Sequence, residues 1–474
     1  MQNSVVKICA FSFLNNYFKL LMKQFIRKNI EYILLVSLYS WIGYCSIVNM
    51  GSIAGIVFLL LVASIGLISS RASFCAMFVI LFGTMVSLNM PSPIIVSSAI
   101  FFGANIFRVS VKGKRLVMTY LLIPFFIYLI IRLVSCMDIR NEEMYASALS
   151  VDIITFITIS LAFLLLNDSK DVVFVERWVG IVGVLASVYG LFYFMYNDVA
   201  YLRDLFAGTD FAGKGVIEGE DLVKAWLRWV PVDKEPNFWA AFLLFPLGYW
   251  VNIISKRPTW ISIVCLSITY IGIIFSYSRS SFLVASFILF YALFKCKRKY
   301  FFSILLTFVI LCVGIYMLSP EVVERILSIS DNIKTEGGSG RFELWSEALN
   351  NFSVNPIIGI GTGQTPAYSS LHLGTHNLYL QILGENGLIG FSLFFFIWFA
   401  ALKMMKKYSK YNGFYFYAFL GYSINQMTIH NFDLRIPLLV VILFYEFVRT
   451  ALPPKTKSTN IPLNVKDNSV VISN

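Results

Sequence analysis

The sequence predicts an all-α, polytopic integral membrane protein with about fourteen transmembrane helices. Three observations predict it. Only 14% of the 474 residues are charged and 58% are hydrophobic, with a mean hydropathy of +0.74. Soluble domains carry about 25% charged residues, so a soluble chain of this length would lack a polar surface. Second, apolar runs of about 20 residues, the length that crosses a bilayer, recur along the chain. Third, Lys and Arg crowd into alternate connections between those runs, as the positive-inside rule requires.

In chain order, residues 1–29 form a cytoplasmic segment with Lys7, Lys19, Lys23, Arg27 and Lys28. They lack an apolar core ending at a small-residue cleavage site, so they read as an amphipathic stretch on the inner leaflet. An N-terminal region, 30–196, holds spans at 30–49, 52–70, 72–90, 92–107, 116–136, 150–167 and 178–196. A second region, 197–452, holds spans at 237–255, 259–277, 280–295, 300–318, 377–402, 413–430 and 435–452. Its two long outer loops are 197–236 and 319–376. Helical text at 320–327 and 342–352 predicts short helices lying over the outer ends of the spans. The tail, 453–474, opens on Pro453-Pro454 and reads as cytoplasmic and disordered.

With the N-terminus inside, inner segments hold 26 Lys and Arg, outer segments hold 11, and Arg132 lies within a span. This asymmetry places both termini in the cytoplasm. It accounts for most of the net charge of +12 without a nucleic-acid partner. The seven cysteines are scattered, with no CxxC pair, so neither a disulfide framework nor a zinc site is indicated. The sequence shows no internal repeat.

Polar chemistry concentrates between Glu336 and Phe391, so an active site faces outward. Arg279, in Ser278-Arg279-Ser280-Ser281, lies where one span ends outside and the next begins. It reads either as a turn residue snorkelling to headgroups or as an inward anion ligand, since an arginine near membrane depth calls for a specific partner. Arg341 follows Gly337-Gly338-Ser339-Gly340. Guanidinium binds phosphate bidentately, and an ordinary loop charge is the alternative. Trp345 and Phe342 stack on a sugar or anchor the loop at the interface.

His376 stands just before a long helix, whose positive end disfavours imidazolium. A neutral imidazole suits a general base; a capping or interfacial histidine is the alternative. His372 and His430 read as structural. Glu385, nine residues further, lies about half a revolution away and reads as a helix-packing hydrogen bonder. Arg228 is an anion contact or a surface charge. Glu235-Pro236-Asn237 is an ordinary helix start. The acidic cluster Glu218-Gly219-Glu220-Asp221 holds a divalent ion or, more simply, forms a solvated face.

Taken together, Ser278-Arg279-Ser280, Ser339-Gly340-Arg341 with Trp345, Asn355-Pro356 with Gly359 and Gly361, His376-Asn377 with Leu380, and Glu385 with Gly387 and Gly390 resemble the O-antigen polymerase and ligase superfamily. The resemblance covers roughly 228–400, Glu235-Pro236-Asn237 included. It implies a GT-C-like membrane glycosyltransferase that needs no metal or cofactor. The implied partners are an undecaprenyl-diphosphate-linked oligosaccharide donor and acceptor, membrane lipid, and a chain-length regulator as a candidate further partner. The implied site is Arg279 and Arg341 on the lipid diphosphate and His376 activating the acceptor hydroxyl. Arg228, Asn237, Ser278, Trp345 and Asn377 are the implied substrate-binding positions. The implied location is the bacterial inner membrane with a periplasmic site.

Polymerase and ligase share these motifs; fourteen spans and two sizeable outer loops favour the polymerase. A lipid-linked oligosaccharide flippase is the reading from another class. Transporters place charges at mid-membrane and show repeat symmetry. Here only Arg132 and Glu385 fit the first, and the symmetry is absent.

Overall fold

A backbone in lipid has to satisfy its own N–H and C=O groups, which makes helices of apolar runs. The computed structural model describes residues 29–45, 52–82, 93–135, 139–196, 236–276, 278–295, 341–429 and 434–451, with a few positions between 300 and 313. No strand occurs among the described residues. The helices are α1 (29–45), α2 (Ser52–Ile68), α3 (Ser70–Phe82), α4 (Pro93–Asn105), α5 (Arg115–Val134), α6 (Glu142–Ala162), α7 (Ser169–Tyr196) and α8 (Pro236–Lys256). They continue with α9 (Trp260–Phe275), α10 (Arg279–Lys295), α11 (Arg341–Val354), α12 (Thr365–Tyr368), α13 (Leu378–Tyr408), α14 (Phe414–Asn425) and α15 (Arg435–Ala451). The protein is therefore an all-α polytopic membrane protein.

Among the described residues, five helices are long and apolar enough to cross a bilayer, each at an expected span: α5, α6, α7 as far as Gly190, α8 from Asn237, and α13. α2, α3, α4 and α9 are apolar but shorter. Two starts differ from expectation. α6 begins at Glu142 rather than near 150, because the Asn141 side chain accepts the Met144 amide at 3.0 Å. Glu142 and Glu143 then suit the positive end of the helix. α7 begins at Ser169 rather than 178. The Asp171 amide donates to Asp168 Oδ1 at 2.9 Å, and Asp171 Oδ2 accepts the Asn167 amide at 3.0 Å. In both cases a capped polar turn extends the helix beyond its apolar run. The expected loop helix over 342–352 is α11.

The core forms around α8, which packs on α7, α9, α10 and, most extensively, α14. Small residues allow that closeness, as they do between membrane helices generally. A Cβ on Gly248 would come within 2.6 Å of the Ala418 amide, and one on Gly183 within 2.2 Å of the Pro246 ring. α8 and α14 run antiparallel: Phe242 and Phe245 both meet Tyr422, Gly248 meets Ala418, and Asn252 bonds Asn412 and Gly413. The start of α8 therefore lies level with the turn that follows Asn425.

A second contact joins the α5–α6 hairpin to α13. Arg132, buried in α5, pairs with Asp152 on α6 and donates to Asn386 Oδ1 at 3.0 Å and Tyr128 at 3.3 Å. An isolated arginine at this depth is costly; the ion pair and the hydrogen bonds to neutral acceptors offset that cost. α13 itself is broken at Gly387, whose φ of +59° and ψ of −165° are not helical.

Candidate active site

Three helices begin around one end of α14. Besides α8, α10 starts there, because Asn425 donates to Ser281 Oγ on its first turn. α13 starts there as well: the Leu378 amide donates to the Gln426 carbonyl at 3.0 Å and the Ile429 carbonyl at 3.1 Å. Tyr379 reinforces the junction by donating to the Ser423 carbonyl at 2.8 Å. The starts of α10 and α13 therefore direct their positive dipole ends to one region.

Arg279 is the first residue of α10, not a turn residue, and is half-buried. Ser278 just before it is buried and donates to Ser281 Oγ at 3.0 Å. Asn237 occupies the first turn of α8 and is half-buried. Asn377 is the cap of α13; its Oδ1 accepts the Tyr379 and Leu380 amides at 3.1 and 3.2 Å.

α11 brings in Arg341 and Trp345. Its Leu344 and Ala348 are buried, and it crosses α13 at Gly384, where a Cβ would come within 3.3 Å of the Ala348 carbonyl. The Trp345 indole N–H donates to the Thr375 carbonyl at 3.0 Å, with Phe342 set edge-on at 5.5 Å between ring centroids. Glu347 accepts the Ser370 amide at 3.0 Å. Burial pushes the Glu347 carboxyl up, but hydrogen bonds from Ser370 and Ser369 outweigh it and hold the group below its ordinary value. α11 thus fastens the loop 369–377 at two points. In this setting the Trp345 nitrogen serves to anchor that loop.

His376 is half-buried and adopts a left-handed backbone, with φ of +49°. Burial lowers its pKa from the ordinary 6.5, and the nearby Arg341 guanidinium lowers it further. His376 and Arg341 are thus brought together. Ser278 and Arg279 are tied to the same end through Ser281, Asn425 and Leu378. His372 is also left-handed, with φ of +53°, but it is exposed and its Nδ1 lies 3.3 Å from the Pro366 carbonyl. Arg228, Glu235, His430 and the Glu218–Asp221 cluster lie outside the described residues, and no metal-binding group of His, Cys, Asp and Glu occurs among those described.

The glycine-rich stretch Gly359-Ile360-Gly361-Thr362-Gly363 has a specific job in the fold. It lies antiparallel to the broken part of α13: the Ile360 and Gly361 amides donate to the Gly384 and Glu385 carbonyls, both at 3.0 Å. The Leu388 and Ile389 amides donate to Pro356 and Ile357 at 2.8 and 3.2 Å. Backbone groups freed by the break are thereby satisfied, as membrane depth demands. A Cβ on Gly359 would lie 2.3 Å from the Glu385 carbonyl group. Sequence reasoning missed the polar residues that complete this joint, namely Asp152, Thr362, Gln364, Gln381 and Asn386. Only the Gln381–Glu385 spacing of one helical turn hinted at it.

No curated protein matches the chain. A family model described as O-antigen ligase matches residues 261–395, which run from α9 through the break in α13 and include Ser278, Arg279, Arg341, Trp345, His376 and Asn377. Over that segment, which is less than a third of the chain, the match supports the resemblance to the O-antigen polymerase and ligase superfamily.

Proposed function

We propose that this chain is a surface-polysaccharide polymerase of the bacterial inner membrane. It joins undecaprenyl-diphosphate-linked oligosaccharide repeat units on the outer face, by inversion and without a metal. The observation that carries this reading is His376 held beside Arg341, with its imidazole biased to the neutral form, at the head of α13. Neutral imidazole accepts a proton from the acceptor hydroxyl as that hydroxyl attacks the anomeric carbon. The attack comes from the face opposite the diphosphate, as in inverting glycosidases. Arg341 and Arg279 stabilise the charge that grows on the departing diphosphate, a role for which the guanidinium fork is suited. Asn237, Ser278, Trp345 and Asn377 are the substrate-binding positions in this reading, and Arg228, outside the described residues, is a third anion contact.

The test is transfer by the purified full-length chain in detergent, using lipid-linked oligosaccharide extracted from membranes of the native host. His376→Ala is expected to lower turnover about 10²- to 10⁴-fold, the usual loss for a general base. His372→Ala should stay close to wild type, and turnover should survive EDTA. A His376→Ala protein that turns over at the wild-type rate removes the base assignment. A second reading is favoured by the description of the matching family model, O-antigen ligase: transfer of the glycan to lipid A-core. Longer chains formed from lipid-linked oligosaccharide alone support the polymerase. A product formed only when lipid A-core is added supports the ligase.

A further inference from the structure

Behind His376 lies a chain of buried polar groups that the reaction does not itself require. Glu385 is fully buried. Its Oε2 accepts the Gly363 amide at 2.9 Å, and its Oε1 accepts the Thr365 hydroxyl at 2.9 Å and the Thr365 amide at 3.4 Å. Oε1 also accepts Gln381 Nε2 at 2.9 Å. A carboxylate surrounded by donors fixes the orientation of the Gln381 amide: its nitrogen faces Glu385, so its oxygen faces outward. That oxygen accepts, at 3.4 Å, the longer branch of a three-centre hydrogen bond from the Thr375 hydroxyl. Thr375, also fully buried, uses the same hydroxyl to donate to the Asn377 carbonyl at 2.7 Å and to accept the Asn377 amide at 3.1 Å. Its carbonyl takes the Trp345 indole.

Thr375 therefore clamps both polar groups of the residue two positions on, and His376 is the single residue inside the clamp. Side chains of Ser and Thr form such local turns. A non-glycine residue holds a left-handed conformation only where its surroundings over-determine it. Here the surroundings are the Thr375 clamp on one side and the helix cap of Asn377 on the other.

We infer that Thr375, Gln381 and Glu385 are positioning residues that fix the left-handed turn at His376 and so aim its imidazole. The joint at the α13 break, where Glu385 also ties down Gly363 and Thr365, is the fixed point from which the turn is held. The catalytic consequence rests on the proposed role of His376 as base; the structural consequence does not.

The experiment uses the full-length chain in detergent with the same extracted lipid-linked oligosaccharide as donor. Thr375→Val keeps the shape and removes the hydroxyl; Thr375→Ser keeps the hydroxyl. Thr375→Val should lower turnover at saturating donor about 10- to 100-fold, the scale of a small misplacement of a reacting group. Its apparent KM for the donor should stay within about twofold, because ground-state binding is untouched. Thr375→Ser should recover most of the loss. Amide hydrogen exchange across 374–380 should accelerate in Thr375→Val and in Glu385→Gln, which turns one acceptor into an N–H facing donors. Where Thr375→Val does not fold, Gln381→Met cuts the link at similar volume and is held to the same readouts. Unchanged exchange in these variants, or Thr375→Ser as slow as Thr375→Val, overturns the inference. His376→Ala separates the two ideas: if it keeps turnover, the base assignment falls, and exchange alone decides whether these residues hold the turn.

Discussion

At the scale of single residues, the question is the charge state of His376. Burial, the Arg341 guanidinium and the positive end of α13 all oppose protonation. Its pKa therefore lies below the ordinary 6.5. The neutral form is the base, so turnover should be full above that depressed pKa and be lost as pH falls through it. The acid limb of the turnover profile is thus expected below pH 6.5. Arg341→Ala should move the limb upward, but only part of the way to 6.5, because burial is the larger cause. The position of the limb, not the height of the plateau, is the readout, since Arg341 also has a proposed role on the diphosphate. A limb that does not move in Arg341→Ala would show that the two side chains do not interact. The placement of His376 at a helix head was legible in the sequence, from the apolar run that follows it. Its partnership with Arg341 was not, because 35 positions separate them and only the crossing of α11 over α13 brings them together.

At the scale of elements, the break in α13 decides what the glycines are for. Gly387 has φ of +59° and ψ of −165°, a region open essentially to glycine alone. A Cβ there would stand 2.4 Å from the Ile357 carbonyl group. Gly387→Ala should therefore cost about 1–3 kcal/mol in backbone strain, with the clash added to it. Gly103→Ala is the control: its Cβ would meet nothing within 4 Å, and alanine suits a helix interior better than glycine. Thermal unfolding in detergent should show a lowered midpoint for Gly387→Ala and none for Gly103→Ala. Equal midpoints would mean that the break is not imposed by Gly387. The motif of Glu385, Gly387 and Gly390 was visible in the sequence, and the hydrogen-bonding role expected of Glu385 agrees with its four short-range donors. The break itself was not read from the sequence: the polar run Gly384-Glu385-Asn386-Gly387 interrupts the hydropathy there, but a single polar turn also fits inside a continuous span. What betrays the break is the chain at 356–361, far off in sequence, which supplies the partners that a continuous helix would not need.

At the scale of the whole molecule, hydropathy carried the fold class, and among the described residues the helix starts it misplaced are those where polar residues belong to the helix. The capped starts of α6 and α7 are such places; the partner of Arg132, Asp152, could not be chosen from sequence spacing. Orientation rests on a different property, the 26-to-11 division of Lys and Arg between the two sides. α13 expresses that division within one element. It begins beside His376 and ends with Lys403, Lys406 and Lys407 in its final turns, with Lys410 just beyond. Basic residues at one end of a span favour the cytoplasmic side, and they also suit the negative end of the helix. The start of α13 should then face outward, together with Arg341, the start of α10 and the start of α8. Reporter fusions test this directly. A phosphatase joined after residue 340 should be active, because it is exported, and a fluorescent protein joined after residue 405 should fluoresce, because it stays in the cytoplasm. The opposite pair of results would put His376 on the cytoplasmic side, away from any acceptor presented at the outer face, and the proposed polymerase would lose its site.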